Sequence, residues 1–164
     1  MKADAKKGFK LDENVKGLND KGGFEIPAGR DVYIDMGNRQ NGFDCSAKTD
    51  MDLFTIRNGA SLQLVRAKLY GDNRKLVIPD NANDTYLMTK YVDFDGISVY
   101  YSKAAPCIYI SKKSNNTKID FYWTNFNGEC TSRIQNDGKN TKFFEWYVKR
   151  SWEPEVRGNE YWGT

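Results

Sequence analysis

Residues 76–96 read LVIPDNANDTYLMTKYVDFDG, and residues 108–128 read IYISKKSNNTKIDFYWTNFNG. At a constant offset of 32, Ile78, Asn83, Thr85, Phe94 and Gly96 fall on Ile110, Asn115, Thr117, Phe126 and Gly128. Leu76, Leu87 and Tyr91 fall on Ile108, Ile119 and Trp123. Both stretches alternate apolar and polar residues in short runs broken by Asn- and Asp-rich turns, which is strand and turn chemistry. Similarity at a fixed offset means a unit that stacks on copies of itself.

An earlier stretch, LFTIRNGASLQLVRAKLYG at 53–71, fits the same template with a shorter first turn. The shared pattern is apolar-x-apolar, a polar turn carrying Asn, then L-x-L-x-x-A-x-L-x-G. A further copy begins at Ile134 and Phe143, and a first one at Ile26, Val32 and Ile34. The positions Val32, Leu62, Leu87, Ile119 and Phe143 are spaced 30, 25, 32 and 24 residues apart, which predicts about five coils. At ~4.8 Å per coil the stack is only ~24 Å long. Leu62, Leu87, Ile119 and Phe143 are expected to form one buried column, and Leu69, Phe94 and Phe126 another. Asn58, Asn83 and Asn115 should form an asparagine ladder at one turn, and Gly71, Gly96 and Gly128 should mark a bend.

The 164-residue chain carries 25 Lys and Arg against 22 Asp and Glu, a net charge of +3 that does not argue for nucleic acid. No run approaches the apolar length of a membrane span, and MKADAKKGFK has no apolar stretch behind its charges, so neither membrane insertion nor a signal peptide is expected. With no histidine, Ser-His-Asp and Cys-His nucleophiles and H-E-x-x-H metal sites are excluded. No cofactor or metal site is indicated. Residues 1–23, rich in Lys, read as an N-terminal arm or cap, 24–151 as the repeat domain, and 152–164 as a C-terminal cap or interface tail containing Trp152, Tyr161 and Trp162. Cys107 and Cys130 occupy nearly the same angular position one coil apart, at an expected Cα separation of about 5–7 Å, and both are expected to be reduced. Cys45 has no partner in this frame.

Three short strands per coil, no helix, and insertions confined to turns resemble the right-handed parallel β-helix of the pectin-lyase-like superfamily. GGFEIPAGR at 22–30 looks like its opening turn and first strand. The resemblance covers residues 22–151. The all-β alternative is a β-sandwich or jelly roll of antiparallel strands, which predicts no constant offset.

Outward positions carry the functional signal, because a solvated sheet face is ordinarily polar. Here Tyr86, Met88, Lys90 and Tyr91 are set beside Lys118, Asp120, Tyr122 and Trp123, and these beside Lys142, Phe144, Trp146 and Tyr147. Such a face suits sugar rings, a subunit interface, or cover by a loop or tail. Residues 97–106, an insertion with Tyr100 and Tyr101, should leave the coil as a recognition loop. The superfamily resemblance implies polysaccharide cleavage, for which the candidate acids are Asp93, Asp95 and Asp120; Asp93 and Asp95 lie ~6.6 Å apart on one face. Both become Asn in the next coil, and the histidine of many hydrolases of the superfamily is missing. With its polar arm and Asn- and Gly-rich turns, the chain also resembles pieces of phage tailspikes, fibres and capsid appendages. That likeness implies a non-enzymatic structural or receptor-binding virion protein, homo-oligomeric, contacting glycan or a cell-surface receptor and other virion subunits. A polysaccharide lyase or glycoside hydrolase, or a secreted or cell-surface bacterial adhesin domain, is the alternative.

Overall fold

A computed structural model describes residues 9–10, 22–46, 50–96, 105–127, 134–150, 156–157 and 162–163. The described residues are all strand, turn and bend, without a helix. The first coil comprises β2 (Phe24–Ile26), β3 (Asp31–Asp35) and β4 (Gly42–Asp44), preceded by the two-residue β1 (Phe9–Lys10). The second has β5 (Asp52–Ile56) and β6 (Ser61–Tyr70), and the third β7 (Arg74–Ile78) and β8 (Tyr86–Asp95). The fourth holds β9 (Ile108–Ile110), β10 (Lys118–Tyr122) and β11 (Asn125–Asn127), and the fifth β12 (Ile134–Asn136), β13 (Lys142–Trp146) and β14 (Lys149–Arg150). Two-residue strands β15 (Val156–Arg157) and β16 (Trp162–Gly163) extend the far end.

Corresponding strands of successive coils pair in parallel, forming one sheet in the order β15-β12-β9-β7-β5-β2 and a second containing the long strands β6 and β8. The chain is thus a parallel β-solenoid of about four turns, the number of steps between the first and last of five stacked segments. The five stacked segments counted in the sequence thus make about four turns, and the parallel pairing removes the sandwich alternative.

Register follows the repeat. Leu76 pairs with Ile108, Leu87 with Ile119 and Phe94 with Phe126, each at the offset of 32. The column Leu62, Leu87, Ile119, Phe143 is buried, as is the column Leu69, Phe94, Phe126, where the last two rings stack at 4.8 Å and 4°. Apolar side chains from both sheets meet inside, and this removal of area from water drives the winding.

The double x of L-x-L-x-x-A-x-L has a backbone cause. Arg66, Tyr91, Trp123 and Tyr147 all adopt left-handed backbone, with φ of 52°, 55°, 45° and 53°. One such residue turns the strand through a corner and restores inward parity, so two consecutive residues face out before the core resumes. A non-glycine residue there costs about 1–2 kcal/mol, here met by the burial on either side. The turn before β6, β8, β10 and β13 uses the same device at Gly59, Asp84, Asn116 and Asn140. Beside it the expected asparagine column stacks: Asn58 Oδ1 accepts the Asn83 backbone N–H at 2.9 Å, Asn83 bridges Asn115, and Asn115 Oδ1 accepts Asn140 Nδ2 at 2.8 Å. At the expected glycine bend Gly71 has φ 127°, and a Cβ there would lie 3.0 Å from the Cys45 carbonyl carbon. Gly128 and Cys130 are outside the described residues, so the thiol stack is not described; Cys45 is a buried free thiol.

Candidate functional site

The stacked coils place a grid of side chains on the outer face of the second sheet. Along the axis one column runs Ser61, Tyr86, Lys118, Lys142; the next runs Tyr33, Gln63, Met88, Asp120, Phe144; the third runs Val65, Lys90, Tyr122, Trp146. The corner column Tyr91, Trp123, Tyr147 closes the grid on one side. Of the residues singled out in the sequence, Tyr86, Lys90, Tyr91, Asp120, Tyr122, Trp123 and Trp146 therefore share one face. Tyr100, Tyr101, Trp152 and Tyr161 lie outside the described residues; of Trp162 only the strand position is described.

The left-handed backbone throws the corner rings outward and aligns them along the axis. Tyr91 stacks on Trp123 at 5.0 Å and 19°, and Trp123 on Tyr147 at 5.8 Å and 9°. Lys90 Nζ lies 5.7 Å and 5.8 Å from the centres of the Tyr91 and Trp123 rings, an attraction for a cation by the ring quadrupoles. Both flat sides of Trp123 are thus taken by neighbours. The open aromatic surface is at the end of the ladder, where Tyr147 is 70% and Trp146 50% exposed, their rings edge to face at 5.5 Å and 84°. Tyr33, 61% exposed, stands at the opposite end of the grid.

The three acids behave differently. Asp93 accepts Arg39 Nε and Asn125 Nδ2, each at 2.8 Å, and Asp95 pairs with Lys68 at 2.6 Å and accepts Asn127 Nδ2 at 2.6 Å. Their change to Asn in the next coil is now explained: a carboxamide donates to the carboxylate stacked on it, where a second carboxylate would repel. Asp95 in turn holds the Lys68 ammonium above its usual range, first through the hydrogen bond. Asp120 projects outward between the inward Ile119 and Phe121, yet is only 3% exposed. Tyr86 Oη donates to its Oδ2 at 2.8 Å and Lys118 Nζ approaches the same oxygen at 3.1 Å. Burial first, and then the bond to Asp120, push the Tyr86 phenol well above its ordinary value. Oδ1 of Asp120 is buried and has no hydrogen-bond partner among the described residues, at a typical cost of about 1–3 kcal/mol.

Sequence reasoning missed Arg39. It sits in residues 36–41, which replace the two corner residues 66 and 67 of the next coil, and its guanidinium reaches Asp93 and donates from Nη2 to the Trp123 carbonyl at 2.8 Å. This inserted loop thereby straps the ladder from the side. An insertion has no periodic signal, so only its length, read against the spacing of the core columns, marks it.

Among the described residues no cluster of Cys, Asp and Glu is arranged to hold a metal ion. Comparisons with protein-family models, with curated proteins and with solved structures find no match for the chain.

Proposed function

We propose that this chain is a non-enzymatic, glycan-binding solenoid, and that the outer face of β8, β10 and β13 together with the Trp146–Tyr147 corner holds the sugar. The observation that carries this reading is the exposed aromatic pair: two large rings at right angles, exposed at the end of a strained aromatic ladder on the face that also carries Lys90, Lys118 and Asp120. Strained backbone and exposed rings both cost stability, and they coincide where a functional surface repays them. A sugar offers apolar C–H faces to such rings and hydroxyls to the charged groups around them. The engagement of Asp93 and Asp95 in bonds that tie successive coils together supports a structural role for both carboxylates and so favours binding over hydrolysis.

In the setting that the β-helical resemblance to phage tailspikes and appendages implies, this face would attach a viral particle to a host surface, and native mass measurement tests the accompanying homo-oligomer. The binding reading is tested on a glycan array followed by titration of tryptophan fluorescence. Trp146→Ala with Tyr147→Ala should weaken binding of the retained glycan at least tenfold and leave the melting temperature within a few degrees, since both rings are exposed. Retention of no glycan, or equal affinity in the double variant, refutes it.

A further inference from the structure

We infer that Asp120 is the specificity-determining acceptor of this face, its Oδ1 receiving a hydroxyl from a sugar unit whose ring rests against Trp146, so that the unit bound there is neutral. The inference rests on the glycan-binding reading and gives it a chemical selectivity.

Four observations converge on that oxygen. Asp120 is held in place by Tyr86 and Lys118, and both act on Oδ2, leaving Oδ1 as acceptor capacity in a fixed position. A carboxylate can only accept, so the missing partner must be a donor such as a hydroxyl; an anionic sugar substituent at that point would meet a like charge. The cover over the carboxylate includes a movable group: the Lys118 side chain is 59% exposed, and its ammonium is held by Asp120 and the Tyr86 ring, 5.2 Å away. Rotation of that lysine into water would release one of the two contacts on Oδ2 without disturbing the coil. Finally, Phe144 is the rung neighbour of Asp120 and Trp146 lies two residues further along the same strand, so Asp120 and Trp146 are about 8 Å apart at Cα, within reach of one sugar unit.

The test uses the full chain with hexasaccharides of glucose, galactose, N-acetylglucosamine and galacturonate, titrated by tryptophan fluorescence alongside thermal melting. A neutral hexamer should bind, and Asp120→Asn should weaken it at least tenfold with the melting temperature unchanged or raised, because the variant removes a half-satisfied buried charge. Glu25→Gln, which neutralises an exposed carboxylate on the other sheet, should bind the same hexamer within twofold of the wild type. Binding of galacturonate alone, Asp120→Asn within twofold of wild type, or a loss in Glu25→Gln as large as in Asp120→Asn overturns the inference. If Trp146→Ala still weakens a hexamer in those cases, the glycan-binding reading stands without it; if none of the hexamers binds, both fail.

Discussion

Lys75 is fully buried in a strand whose alternation would point it outward. Its backbone N–H donates to the Cys107 carbonyl at 2.8 Å, and its Nζ donates to the carbonyls of Gly71 and Asn73, the latter at 3.2 Å. Desolvation dominates its surroundings and lowers its pKa from 10.5, against the electrostatic pull of Cys107, Cys45 and two aspartates. Between the lowered native value and 10.5 the unfolded chain holds a proton that the native chain has released, so this group makes stability rise with pH across that window. The slope is at most about 1.4 kcal/mol per pH unit for one proton, and it vanishes below the native value. Lys75→Met keeps the length and removes the titration. Urea unfolding between about pH 7 and 10 should show the wild type gaining stability relative to the variant as pH rises. Burial pushes the Cys45 thiol up to about 12, which makes stability fall above its ordinary value. That contribution is present in both proteins and largely cancels in the difference. A wild-type minus variant difference that stays constant across the range refutes the reasoning, since it would mean that Lys75 titrates alike in both states.

The column and the ladder each make a sharper demand. Leu87→Ala, at a site fully buried between Leu62 and Ile119, should cost about 2–5 kcal/mol in urea unfolding, and a change under about 1 kcal/mol would contradict the column. Asp95→Asn should cost about 1–2 kcal/mol by stranding Lys68 and setting amide against Asn127, and it should also remove a loss of stability on the alkaline side: Lys68 is raised, so its contribution is whole below 10.5 and lost as pH climbs through the native value. An unchanged alkaline limb would refute the assignment of Lys68 to Asp95.

The core was legible because parallel stacking repeats its hydrophobic columns: an inward residue must lie over an inward residue, and the offset of 32 between the third and fourth coils is also the strand register. The corner was half legible. L-x-L-x-x-A-x-L reports that two residues face out, but the left-handed backbone that aligns the rings of Tyr91, Trp123 and Tyr147 flat against each other is a property of φ, and aromatic residues do not advertise it. The sequence therefore showed an aromatic face without showing that its inner rings cover one another and that the open surface lies at Trp146 and Tyr147. Lys75 was hidden for a related reason, since alternation fails where a strand leaves a corner and a nominally outward side chain folds under the turn.

Polar residues follow the opposite rule from the core, and that is where the site becomes visible. Acids cannot be stacked on acids one rung away, so an outward carboxylate is answered by a donor in an adjacent coil: Glu25 by Arg57, Asp31 by Ser61, Asp35 by Arg66, Asp52 by Arg74, Asp84 by Asn116, Asp93 by Asn125 and Asp95 by Asn127. A slip of register by one residue would separate these pairs and turn the core outward together, so the two patterns enforce the same stacking. Asp120 is answered from the adjacent coil by Tyr86, but on one oxygen only. Its neighbours along the column are Met88 and Phe144, neither of them a donor, and its two partners come from the flanking column and crowd a single oxygen. A donor at position 144 would satisfy the second oxygen, as Arg74, Asn125 and Asn127 do from the rung positions beside Asp52, Asp93 and Asp95. An aromatic residue there instead leaves a buried carboxylate oxygen without a partner on the face that, among the described residues, carries the exposed rings, and under the proposed glycan binding that acceptor and that apolar surface would serve one sugar unit.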